Sequence, residues 1–210
     1  MENTFPMKNF TEDMGINGHL TIIRQWNDGQ EEILLDDSNI IVSGMGVGLS
    51  YLFTASGSNS ILDYQIDRFQ VGVSGPPQGG ITSSIYELSG PLHATGTNEY
   101  GSGSNLFVSV NPQLTNDSLT SNQTFALIPN SKMTRIGNSS VRYTLVLDEE
   151  SCNNLTRDGE EASLNEVGMF MKNPTGSLVS DRSLLVCYRT FSNIRKTSDF
   201  SLIFRWTLNF

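Results

Sequence analysis

Apolar and polar residues alternate with period two along much of the chain, the pattern of half-buried β-strands. At the C-terminus Leu202, Phe204, Trp206, Leu208 and Phe210 fall on one face, opposite Ser201, Ile203, Arg205, Thr207 and Asn209. The same alternation runs through Val141, Tyr143, Leu145 and Leu147, through Leu106, Val108 and Val110, and through Leu20, Ile22, Arg24 and Trp26. Leu184-Leu185-Val186-Cys187-Tyr188 is apolar on both faces, which predicts a central strand covered on both sides. Together these runs predict a mainly all-β fold, an antiparallel, jelly-roll-like β-sandwich.

Turn chemistry sharpens the picture. Asn27-Asp28-Gly29 separates strand candidates at Leu20–Trp26 and Glu31–Leu35, and Asp-Gly marks a hairpin because Gly accepts positive φ without steric cost. One segment breaks the β pattern. Over Ser43–Ala55, Met45, Leu49 and Leu52 recur at helical spacing behind Ser43, an N-cap candidate. Gly44, Gly46 and Gly48 each cost a helix about 1 kcal/mol relative to Ala, so packing must hold this short helix, with the glycines letting it lie close against a sheet. Polar, Gly-rich stretches at 74–80, 94–105, 111–123 and 148–161 read as loops. No internal repeat or domain linker appears, so the expected organisation is an N-terminal arm over 1–17 and a single domain over 18–210.

Composition narrows the partners. The chain has 210 residues, of which 37% are hydrophobic, enough for a core and too many for wholesale disorder. With 13 Lys+Arg against 22 Asp+Glu the net charge is -9, which repels phosphate backbones and anionic lipid, so no nucleic-acid and no membrane partner is expected. Met1-Glu2-Asn3-Thr4-Phe5-Pro6 has neither the basic start nor the apolar run of a secretory signal, and a chain made in the cytoplasm is expected. Cys152 and Cys187 are therefore expected as free thiols, and the Asn-x-Ser/Thr triplets at Asn9, Asn116, Asn122, Asn138 and Asn154 as no more than Asn/Ser/Thr richness.

Candidate chemistry is sparse. Gly44-Met45-Gly46-Val47-Gly48 lacks the Lys-Ser/Thr of a P-loop and the third glycine of a dinucleotide fingerprint. His19 and His93 are far apart, and no metal-ligand spacing links either to a cysteine. The acidic residues of 148–161 lack the alternation of an EF-hand. No nucleophile elbow is present. Glu99, Asp148, Glu166 and Asp199 are the acids to check for a two-carboxylate site, and Trp26 and Tyr100 the aromatics to check for sugar stacking. Glu166 is read as a structural carboxylate pairing with Arg189, Arg195 or Arg205. The expectation is a non-enzyme with no metal or other cofactor; the binding residues are left unassigned.

Three stretches resemble virion structural proteins of tailed bacteriophages. The first runs from Gly18-His19-Leu20-Thr21-Ile22 through Asn27-Asp28-Gly29-Gln30-Glu31-Glu32 to Asp37-Ser38-Asn39-Ile40-Ile41-Val42 and the segment from Gly44, similar to the strand, turn, strand and helix opening of tail and neck-associated proteins. The second is Phe69-Gln70-Val71-Gly72-Val73-Ser74-Gly75 with Pro76, Pro77, Thr82 and Leu88; it departs from the family pattern in having Ser83-Ser84 where Asp-Thr is usual. The third is Leu164-Asn165-Glu166-Val167-Gly168-Met169-Phe170, similar to a strand of tail and baseplate proteins, followed by Tyr188-Arg189-Thr190-Phe191 and Lys196-Thr197-Ser198-Asp199-Phe200. The resemblance implies a structural part of the virion, at the tail, baseplate or neck (collar), built from repeated copies of the chain and contacting neighbouring virion proteins. It carries over no catalytic residue. A host-attachment carbohydrate-binding module and a capsid decoration protein are the alternatives.

Overall fold

A computed structural model describes residues 15–54, 64–72, 107–108, 126–157, 160–161, 163–171 and 184–210. Their elements are β1 (Asn17–Trp26), β2 (Glu31–Ile41), α1 (Ser43–Phe53), β3 (Ile66–Gly72), β4 (Phe107–Val108), β5 (Ala126–Leu127), β6 (Met133–Arg135), β7 (Ser140–Leu147), β8 (Thr156–Arg157), β9 (Glu160–Glu161), β10 (Leu164–Met171), β11 (Leu184–Ile194) and β12 (Phe200–Asn209). The expected loops at 74–80, 94–105 and 111–123 and most of the N-terminal arm lie outside the described residues.

All the strand pairings are antiparallel. Ten strands join in one sheet, ordered β4-β3-β10-β11-β2-β1-β12-β7-β6 with β5 also on β3, while β8 and β9 form a separate pair inside the expected loop 148–161. The fold is thus mostly antiparallel β with one short helix, as the alternation predicts, and its strands are continuous through β2 instead of divided into two sheets. Residues 31–39 of β2 pair with β1, and Ile40 and Ile41 pair with Tyr188 and Cys187 of β11.

The sheet curls strongly. Phe191 of β11 and Phe204 of β12 are three strand positions apart, about 14 Å in a flat sheet, yet their ring centroids lie 6.1 Å apart. The concave side holds the core, where Leu20, Ile22, Leu145, Leu147, Leu202, Phe204, Trp206 and Leu208 meet Val71, Val167, Met169, Cys187 and Phe191. Of the predicted C-terminal face, Phe210 is the exception: β12 ends at Asn209 and Phe210 is half exposed, because its backbone N–H is held by the carbonyl of Ser139 beyond the end of the strand.

The predicted hairpin is present. Gly29 has φ 87°, its N–H reaches the Trp26 carbonyl at 2.9 Å, and Asp28 Oδ1 accepts from the Gln30 N–H at 3.0 Å. The helix is present too, but its N-cap is Val42, without a side-chain cap, and Ser43 is the first helical residue. The Val42 N–H is committed to the Val186 carbonyl, so the chain leaves β2 directly into the helix. A Cβ at Gly44 would sit 2.0 Å from the Leu185 carbonyl oxygen, which gives the glycine its reason: the helix backbone lies on β11. Leu185 to Tyr188 are buried throughout, as expected of a strand covered on both faces.

Candidate interaction face

Four strands, β2, β1, β12 and β7, present their convex side outward. Directly opposed residues of antiparallel strands share a face, so the register fixes the rows that cross it. One row is apolar: Ile33 pairs with Ile23, Ile23 with Ile203 and Ile203 with Val146. Ile23 is covered at 3% exposure, whereas Ile33 at 63% and Val146 at 39% stand open to solvent. Ile33 reaches this row through a β-bulge. Ile22 pairs with Leu35 and Ile23 with Ile33, leaving Leu34 as the extra residue, and that insertion reverses which face Ile33 occupies.

The neighbouring rows are polar. Asp36, Thr21, Arg205 and Thr144 form one, and Ser38, His19, Thr207 and Arg142 the next; on the other side Glu31 pairs with Gln25. Asp36 accepts from Thr21 Oγ1 at 2.7 Å and lies 2.8 Å from His19 Nε2, contacts that hold its carboxyl below the usual aspartate range, the histidine contributing most. The acids of this face lie on β2 and the arginines on β12 and β7, so charge is divided across the apolar row.

At the rim of this face a cleft of about 280 Å³ opens between β7 and the β3–β5 end of the curled sheet, with Phe69, Leu127 and Pro129 on one wall and Thr144, Val146 and Asp148 on the other. Asp148 is occupied as a turn acceptor, taking Ser151 Oγ at 2.6 Å and the Glu150 N–H at 3.1 Å. Asp199 likewise accepts from Thr197 Oγ1 at 3.0 Å. Both lie near Lys196, a residue the sequence reading missed. Lys196 is buried, donates to Asn153 Oδ1 at 3.0 Å and to its neighbour's carbonyl at 2.8 Å, and sits 5.2 Å from the centre of the Phe200 ring. Burial holds its ammonium below the usual lysine range. Polar flanks in the sequence hide such a lysine; the signal available was Phe200, an aromatic two residues beyond Ser198.

Glu166 does not pair with the arginines expected of it. Arg189 takes Asp37 at 2.5 Å and Arg195 takes Glu161 at 2.9 Å, while Arg205 stands exposed on the convex face. The Tyr188 hydroxyl donates to Glu166 Oε2 at 2.5 Å. The register places Glu166 with Thr190, and Gly168 with both Tyr188 and Gln70, so these polar groups share one fully buried face of β3, β10 and β11. Trp26 is half buried with Arg24 stacked 5.3 Å from its ring centre. Cys152 and Cys187 are free and buried; burial pushes the Cys152 thiol up to about 12 and the Cys187 thiol up as well, which keeps both protonated and unreactive at neutral pH. His93, Glu99 and Tyr100 lie outside the described residues.

Comparison of the chain with protein-family models, with curated proteins and with solved structures finds no match.

Proposed function

We propose that this chain is a non-enzymatic structural component of a tailed phage particle, assembling as repeated copies at the tail, baseplate or neck and contacting neighbouring virion proteins. The observation that carries the reading is the convex face, where Ile33 and Val146 stand exposed at the two ends of one apolar row. A contiguous exposed apolar strip rimmed by charge marks a contact surface. The resemblance of Gly18–Val42 and Leu164–Phe170 to tail and neck-associated virion proteins gives that surface its setting. In the same reading the curled sheet is a jelly-roll-like sandwich whose layers share β2, a view supported by the packing of Phe191 on Phe204.

Immunogold labelling of purified virions with antibody to this chain tests the proposal. Gold at the tail, baseplate or neck is the expected result and names the part. Gold over the head moves the chain to capsid decoration, and unlabelled particles overturn the virion reading.

A further inference from the structure

We infer that the convex face of β2, β1, β12 and β7 is an isologous interface on which a second copy of this chain docks face to face, with the two-fold axis lying in the interface along the strand direction between β1 and β12. This deepens the assembly reading and rests on it in taking repeated copies to meet. The partner is chosen by self-complementarity. A rotation about that axis lays β2 of one copy over β7 of the other and β1 over β12. Because the rotation keeps each position along the strands, the apolar row falls on itself: Ile33 meets Val146 and Ile23 meets Ile203.

Charge selects the same axis. The acids Glu31 and Asp36 lie on β2, while Arg205 and Arg142 lie on β12 and β7 and have no ion pair among the described residues. Laying β2 over β7 brings the acids of each copy toward the arginines of the other, twice. An axis perpendicular to the strands would instead put β2 on β2 and oppose like charges, an arrangement that costs several kcal/mol. A second copy thus supplies both halves of the pattern, and an unrelated partner would have to reproduce its mirror order.

Size fits a pairing that works in a larger assembly. Four strands at ~4.8 Å spacing and ~10 residues of ~3.3 Å each give a footprint of about 600 Å² per copy. Two copies bury about 1,200 Å², the lower end of specific interfaces, so the isolated dimer is weak and repeated contacts in a particle strengthen it.

Sedimentation equilibrium of the purified full chain is the test. The native chain is expected to show a concentration-dependent monomer–dimer equilibrium that weakens with salt. Ile33→Asp should weaken it on the order of 100-fold, since the change enters a two-fold interface twice, while an unchanged melting temperature shows that the fold is intact. A second pair of variants removes dependence on the apolar row. Arg142→Glu with Arg205→Glu, and separately Glu31→Arg with Asp36→Arg, should each be monomeric, and mixing the two chains should restore dimers. A native chain that stays monomeric, a dimer that survives Ile33→Asp, or a mixture that fails to pair overturns the interface. The two readings fail separately: a dimer without gold on virions leaves the interface and removes the virion, and gold with a monomer does the reverse.

Discussion

Glu166 shows how a single buried acid is made tolerable. A carboxylate with no solvent exposure survives only with hydrogen-bond donors around it, and the Tyr188 hydroxyl at 2.5 Å has the short length of a bond to a charged acceptor. Tyr188→Phe keeps the ring and removes the donor. It should cost about 1.5–3 kcal/mol, measured by urea unfolding. Lys196 resolves the same problem differently, with carbonyl acceptors below and the Phe200 ring above its ammonium. Acid–arginine pairing was the natural expectation for Glu166 because charge is visible in a sequence. A tyrosine two strands of sequence away becomes its partner only once β10 and β11 are in register.

Single elements carry their own tests. On β12, Leu208 is fully buried and Phe210 is 51% exposed, so the two C-terminal apolar residues should respond very differently. Leu208→Ser should cost about 3–5 kcal/mol through lost burial and an added polar group, whereas Phe210→Ser should cost about 0.5 kcal/mol or less; thermal unfolding of the two variants checks the contrast. In α1, Gly44→Ala sets two effects against each other. Helix propensity favours alanine by about 1 kcal/mol, but its Cβ would lie 2.0 Å from the Leu185 carbonyl oxygen, and overpacking against backbone costs about 1–3 kcal/mol. Sterics should win, giving a net loss in stability. The helix, the hairpin and the doubly covered strand were legible because each rests on local spacing. The missing cap at Ser43 was not, because the Val42 N–H finds its partner on β11, far along the chain.

For the molecule as a whole, β2 is the strand on which the curl turns, and a charged clasp ties its two sides. Asp37 of β2 meets Arg189 of β11, and the Ser38 N–H, followed by the arginine's charge, holds the Asp37 carboxyl below its ordinary value of 3.8. Asp36 is lowered in the same direction. A carboxyl depressed in the folded state contributes stability above its unfolded pKa and loses it as pH falls through the folded value. The melting temperature should therefore hold from neutral pH down to the aspartate range and fall below it, with Asp37→Asn flattening part of that fall. A scan of melting temperature against pH for the native chain and Asp37→Asn would show a parallel decline if the clasp contributes nothing.

What the sequence by itself determined is the strand and helix inventory and the face of β12 that enters the core, since period-two alternation and turn chemistry act over a few residues. Even the apolar row left a trace, in Ile203 standing among Ser201, Arg205, Thr207 and Asn209. Only the tertiary structure decided that Ile203 has Ile23, Ile33 and Val146 beside it, because those neighbours come from three other strands and one of them depends on the bulge at Leu34. The closure of ten strands into one curled sheet was likewise decided by long-range pairing through β2, since register between distant segments is set by the shared core and not by any local run of residues.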